Sequence, residues 1–234
     1  MIKIISKILI FLFFSLLFIG LSLIFMVKNS NYMDKALAKQ ESLNYVDCSD
    51  TIFQESGNEL IIIELNFSKG IANCVINKLK DKEKLTIFIS PGGLALESFV
   101  LSNYIKENNI KVKIINTCAS ACTYLLFSAP ERNICKNAKI ILHQAGIVEE
   151  KNWISYIINE EEIINEEFMK HEKELFNKDI NFNYYEEVLK VTPFRDYYEL
   201  TEVELKNNNF INNIESCDNK NIIIGNLMFG EKKV

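Results

Sequence analysis

Ser120 stands in Thr117-Cys118-Ala119-Ser120-Ala121-Cys122, where small residues crowd around one hydroxyl between an apolar run and an apolar helical stretch. A serine at a strand-to-helix turn lies near the positive end of the helix dipole, and the N–H of the next residue, Ala121, can point at an oxyanion. Taken alone, the residue reads more simply as a plain N-cap, with its oxygen bonding the helix start and doing no chemistry. His143-Gln144 directly follows the run Ala138 to Leu142. Its imidazole therefore belongs at a strand end, where open α/β sheets keep their ligands, and it is eligible as a general base. The other histidine, His171, sits in Lys170-His171-Glu172-Lys173 and reads as a solvated surface residue. Ser90-Pro91-Gly92-Gly93 follows another strand-like run. Its two glycines let the backbone turn sharply and present N–H groups with no side chain in the way, which suits a carbonyl or phosphate oxygen. Taken singly, the three elements are a turn, a cap and a structural histidine; their conjunction is what favours a catalytic over a structural reading of the histidine.

The elements that must position these residues are legible as periodicity. Leu60 to Phe67, Leu85 to Ile89, Lys111 to Asn116 and Ala138 to Leu142 are short and β-branched, as buried strands are. Between them, Ile71 to Lys80, Leu96 to Asn108 and Ala121 to Phe127 carry apolar residues at helical spacing. The alternation implies an α/β fold with crossover helices around a mainly parallel sheet. From Trp153 to Lys178 the chain turns charged yet keeps Trp153, Ile157, Ile158, Ile164, Phe168 and Phe176 at near-helical spacing, which predicts one long amphipathic helix. Such a helix packs on its own domain or projects to interlock subunits.

The chain has 234 residues, 48% of them apolar and 24% charged, with three prolines and eight glycines, so repeats and Pro-rich scaffolds are excluded. Ile8 to Val27 is a twenty-residue run without charge, bracketed by Lys3, Lys7 and Lys28. It is long enough to cross a bilayer and lacks a small-residue cleavage site, so residues 1–28 read as an uncleaved transmembrane signal anchor. A polar linker, 29–44, leads to one domain, 45–234. Lysines flank the run on both sides, so the positive-inside rule gives little orientation. An even count of six cysteines (Cys48, Cys74, Cys118, Cys122, Cys135, Cys217) favours an extracytoplasmic, periplasm-like face. No spacing among them forms a zinc signature. Without residues 1–28 the chain carries 23 basic and 31 acidic residues, which excludes nucleic acid as an expected partner.

Cys118 and Cys122 are read chiefly as buried packing residues, because on a continuous helix their Cβ atoms are too far apart for easy bonding. A bridge requires Cys118 to lie outside the helix, and would make the site redox-sensitive. Cys48 with Cys217 is the speculative staple.

Ser90-Pro91-Gly92-Gly93, Cys118-Ala119-Ser120-Ala121-Cys122 before Leu125-Leu126, Arg132, and Ile141-Leu142-His143-Gln144 resemble, in order and spacing, the Clp protease proteolytic-subunit family of serine peptidases. The chain is most similar to the membrane-anchored or periplasmic Clp-like branch of the ClpP/crotonase superfamily, over about Leu60 to Ile211. The resemblance implies a ClpP/crotonase-like fold and a serine endopeptidase, with Ser120 as nucleophile and His143 as base. It implies Asp196, in Arg195-Asp196, as the acid, with Asp179 or a dyad helped by a backbone carbonyl in reserve. It further implies the N–H groups of Gly93 and Ala121 as oxyanion hole, and Gly92 and Leu94 as contacts to an extended peptide. No metal or cofactor is called for; the implied partners are a peptide or protein substrate, the membrane through the N-terminal helix, and further copies of the chain in an oligomer. Two alternatives keep the fold: a non-catalytic peptide-binding module, and crotonase-type acyl-CoA chemistry, which needs no Ser-His pair.

Overall fold

The computed structural model describes residues 48, 51–144, 160–192 and 196–217. The anchor expected at 1–28, the linker 29–44 and Trp153 lie outside the described residues. Among the described residues no helix is long and apolar enough to cross a membrane.

A hairpin of β1 (Phe53–Ser56) and β2 (Glu59–Phe67) closes over a two-residue turn with Gly57 at φ 56°, a conformation glycine adopts without strain. Three helix crossovers follow: α1 (Ile71–Leu79) leads to β3 (Lys84–Gly93), α2 (Ala95–Glu107) to β4 (Lys111–Ala119), and α3 (Cys122–Ser128) to β5 (Arg132–Cys135). Then come β6 (Lys139–Leu142), α4 (Glu160–Leu175), α5 (Phe182–Val191), β7 (Tyr198–Glu199), α6 (Glu202–Asn207) and β8 (Asn213–Glu215). One eight-stranded sheet has the order β1-β2-β3-β4-β5-β8, with β6 beside β4 and β7 beside β6. The β1/β2 and β6/β7 pairs are antiparallel and the other five parallel, so the fold is α/β with a mixed, mostly parallel sheet.

The central strands are the ones their apolar runs announce. Leu60, Ile62, Leu85, Ile87, Val112 and Ile114 are buried in one core with Val75, Leu101, Ile105 and Phe127 from the helices. β4 forks the sheet: Val112 to Ile114 pair with β5, and Thr117 to Ala119 pair with β6. That fork carries β6, and the histidine that follows it, to the side of the serine turn.

Three expectations need correction. The stretch Ser90-Pro91-Gly92-Gly93 is not a turn after a strand: β3 runs through it, with Gly92 opposite Asn66 and Gly93 opposite Phe67 past a register break. The cysteines are not packing thiols; Cys118 bonds Cys122, because Cys118 lies in β4 and the helix begins only at Cys122. Nor does Cys48 reach Cys217. Cys48 bonds Cys74 of α1, and Cys217 bonds Cys135, whose strand pairs with β8 two residues before Cys217. All six cysteines are thus paired.

From Phe168 on, α4 packs on its own domain. Phe168 lies against Phe99, and Leu175 and Phe176 are buried in the core. Lys106 of α2 caps the end of α4 by donating to the carbonyls of Glu174, Leu175 and Phe176. At the opposite end of the sheet from Ser120, Arg132 is fully buried and bonds Asp179 (2.6 Å) and the carbonyls of Ala129 and Asn209. Arg132 pairs with Val112 near the start of β4, seven residues from Ala119, so Asp179 lies on the order of 20 Å from Ser120. The reserve acid is a structural counter-ion and not a member of the site.

α6 begins with a capping box, in which Thr201 Oγ1 accepts from the Glu204 N–H (3.2 Å) and the Glu204 carboxylate accepts from the Thr201 N–H (2.7 Å). The same carboxylate takes the hydroxyls of Tyr184 and Tyr198, tying α5 and β7 to this helix start. Thr201→Ala is expected to lower unfolding stability by about 1 kcal/mol, while Thr201→Ser stays close to the parent. Urea midpoints of the three proteins check this, and equal midpoints for Ala and Thr would refute it.

Candidate active site

Ser120 is the hinge between β4 and α3. It holds φ at 55°, a left-handed backbone that is unusual for a residue with a side chain. Two sets of hydrogen bonds keep it there. Its N–H donates to the Ile141 carbonyl of β6 (2.9 Å), and its own carbonyl accepts from the Thr123 N–H (2.9 Å) and Thr123 Oγ1 (2.7 Å). Ser98 Oγ of α2 donates to the next carbonyl, that of Ala121. Both backbone groups of Ser120 are therefore satisfied, and its side chain is left half-buried at the end of the strand. Thr123 braces the turn from three residues on, a spacing at which a threonine hydroxyl reaches back to the carbonyl at a helix start.

β3 presses on this turn from the other side. Gly92 is buried with φ at 98°; a Cβ placed there would lie 2.6 Å from Ser120 Cβ, 2.8 Å from the Ala119 carbonyl oxygen and 3.1 Å from the Ala121 nitrogen. Only a residue without a side chain permits that approach. Gly93 follows at φ 130°, exposed, and the Leu94 N–H donates to the Phe67 carbonyl (2.8 Å). The expected oxyanion pair, Gly93 and Ala121, thus flanks the point where β3 passes Ser120.

His143 comes two residues after Ile141, whose carbonyl holds the Ser120 N–H. β4 and β6 are parallel with Ala119 opposite Ile141, so the serine turn and the histidine leave the same end of neighbouring strands. The Nδ1 atom of His143 lies 2.7 Å from the Gln144 carbonyl oxygen. A carbonyl can only accept, so Nδ1 carries the proton and Nε2 is the basic nitrogen of the neutral ring. Gln144 is itself fixed by its N–H donating to the Thr192 carbonyl (3.2 Å). Asp196 is brought to the same edge, because β7 runs antiparallel to β6 with Tyr198 opposite Leu142, two residues past Asp196. Its carboxylate is exposed.

Three of the large exposed apolar side chains among the described residues adjoin these groups: Leu94 (51% exposed) follows Gly93, Tyr197 (74%) follows Asp196, and Val191 (75%) precedes Thr192. Among the described residues no cluster of three metal-ligating side chains occurs.

Behind the turn, Tyr124 of α3 is buried, stacked on Phe99 with ring centroids 4.9 Å apart. It shares the interior with Glu172 of α4 and Tyr185 of α5, both buried. Burial pushes the Glu172 carboxyl up to about 7, an effect that hydrogen bonds from Tyr124 and Tyr185 partly oppose. Burial, and then the Glu172 charge, pushes both tyrosines well above their ordinary range. No protein-family model and no curated protein matches this chain, so its chemistry rests on this geometry.

Proposed function

We propose that the protein is a membrane-anchored serine endopeptidase of Clp-like, ClpP/crotonase-type fold. The carrying observation is that Ser120, at φ 55° with its N–H on Ile141, leaves the same end of the sheet as a histidine two residues beyond Ile141 whose Nδ1 faces a carbonyl. His143 Nε2 accepts the Ser120 proton as Ser120 Oγ attacks a peptide carbonyl. The N–H groups of Gly93 and Ala121 take the developing oxyanion, the amine leaves with the proton from His143, and water releases the acyl group. The Gln144 carbonyl orients the imidazole, and the working unit is read as a Ser-His dyad with Asp196, two residues before β7, as an accessory carboxylate. Leu94, Val191 and Tyr197 supply exposed apolar surface for an extended peptide beside Gly92 and Gly93. Three disulfides favour placing this domain in an oxidising, extracytoplasmic space. The amphipathic helix α4 remains the candidate for contacts between copies in a homo-oligomer.

The test is intact mass of the full chain, held in mild detergent, after reaction with a fluorophosphonate. The reaction forms an Oγ–P bond on serine with loss of fluoride. One adduct is expected, absent in Ser120→Ala and slowed at least about a hundredfold in His143→Ala. Asp196→Asn is expected to slow it less than about tenfold, since a carbonyl already holds Nδ1. An oligomeric, folded chain that takes no adduct would instead be a peptide-binding module.

A further inference from the structure

We propose that the Cys118–Cys122 disulfide is a positioning element for the nucleophile, and that holding the fold together is the task of the other two bridges. This rests on reading Ser120 as the nucleophile. The bond links the penultimate residue of β4 to the first residue of α3 and encloses only Ala119, Ser120 and Ala121. Both cysteines are fully buried, with Cα atoms 5.3 Å apart.

Cross-links stabilise a fold chiefly by shortening the unfolded chain, and the gain grows with the length of the loop closed. The three bridges span 82, 26 and 4 residues, so this one constrains the unfolded chain least. Its location is what sets it apart. Ser120 occupies the left-handed region, and its neighbours Ala119 and Ala121 have single methyl groups with which to resist relaxation. β6 braces the turn through Ile141, Thr123 braces it from within α3, and Gly92 limits it on the β3 side. The disulfide is the brace that fixes the two ends of the turn relative to each other. Without it, β4 and α3 remain docked by their own cores, but the angle between them, and so the direction of Ser120 Oγ, is left to the Ile141 and Thr123 hydrogen bonds and the Gly92 contact, none of which ties the two ends of the turn together.

The prediction is a double dissociation measured on the oxidised full chain in mild detergent. Peptide mapping first shows the Cys118–Cys122 link, and its absence from oxidised protein overturns the proposal. Cys118→Ala/Cys122→Ala is expected to lower the limiting rate of fluorophosphonate labelling at least tenfold, to leave the probe concentration for half-maximal rate within twofold, and to shift the melting temperature little. Cys135→Ala/Cys217→Ala is expected to do the reverse, lowering the melting temperature with the labelling rate unchanged. Cys118→Val/Cys122→Ala, which refills most of the buried volume without the bond, must repeat the first result even if the alanine pair fails to fold. Unchanged labelling in the valine variant, or a loss of rate that merely follows melting temperature across all variants, overturns the positioning role and leaves the nucleophile reading standing. No labelling of the unaltered chain overturns both.

Discussion

Gly92→Ala is expected to lower the rate of Ser120 labelling by at least about a hundredfold while the chain still folds. The added methyl would sit 2.6 Å from Ser120 Cβ and 2.8 Å from the Ala119 carbonyl oxygen, distances that non-bonded atoms do not occupy. Either β3 retreats or the serine turn moves. In both cases the relation between Ser120 and the Gly93 N–H is lost, and a displacement of about 1 Å in such a site costs on the order of a hundredfold in rate. Gly92 also holds φ at 98°, which an alanine adopts only with strain, so some stability is lost as well. Gly57→Ala is the control. Gly57 likewise has a positive φ, 56°, but nothing lies within 4 Å of its added Cβ, and it turns the distant β1–β2 hairpin. Labelling of Gly57→Ala is expected to match the parent. If Gly92→Ala also labelled at the parent rate, β3 would not form part of the site.

Glu172→Gln is expected to remove most of the pH dependence of stability between pH 4.5 and 8. Glu172 is 2% exposed, and one of its carboxylate oxygens, Oε2, has no hydrogen-bond partner. Burial raises its pKa to about 7 against an ordinary value of 4.5. A carboxyl that holds its proton more tightly when folded stabilises the fold fully below pH 4.5. That contribution is lost as pH rises through 7, and the difference amounts to roughly 3 kcal/mol. The glutamine cannot ionise, so at pH 8 it should unfold at higher urea than the parent, and at pH 4.5 at about the same. Glu204 acts in a separate window. Burial works against its charge, but hydrogen bonds from Thr201, Tyr184 and Tyr198 outweigh that and lower its pKa to about 2. The support it gives is therefore present above pH 4.5 and disappears as pH falls towards 2. Urea midpoints at pH 2.5, 4.5, 6 and 8 separate the two, and parallel curves for parent and Glu172→Gln between pH 4.5 and 8 would refute the assignment.

Parts of the fold whose cause is local can be read from the amino-acid order alone. β2, β3 and β4 were legible because a strand with a buried face carries apolar, largely β-branched residues in a short run, as in Leu60 to Phe67 and Lys111 to Asn116. α1 and α2 were legible because apolar residues recur at the helical period over Ile71 to Lys80 and Leu96 to Asn108. The types of the site residues were legible too: a serine among small neighbours, two glycines after a strand, and a histidine at a strand end. Features that depend on partners far along the chain emerge only when the strands are assembled. β1, β5, β7 and β8 are two to four residues long and owe their existence to the strands beside them. Gly92 and Gly93 are strand residues because Asn66 and Phe67 lie opposite, and the Cys118–Cys122 bond forms because β4 outlasts Cys118 before α3 begins. The pairing of β7 with β6 brings Asp196 to the site edge, while Arg132 claims Asp179 at the far end of the sheet. That the Gln144 carbonyl faces His143 Nδ1 follows from a backbone conformation that the Thr192 carbonyl helps to fix. Periodicity records which face of an element is buried, but pairing across the sheet is a sum over distant residues, and it is that sum which places the catalytic candidates together.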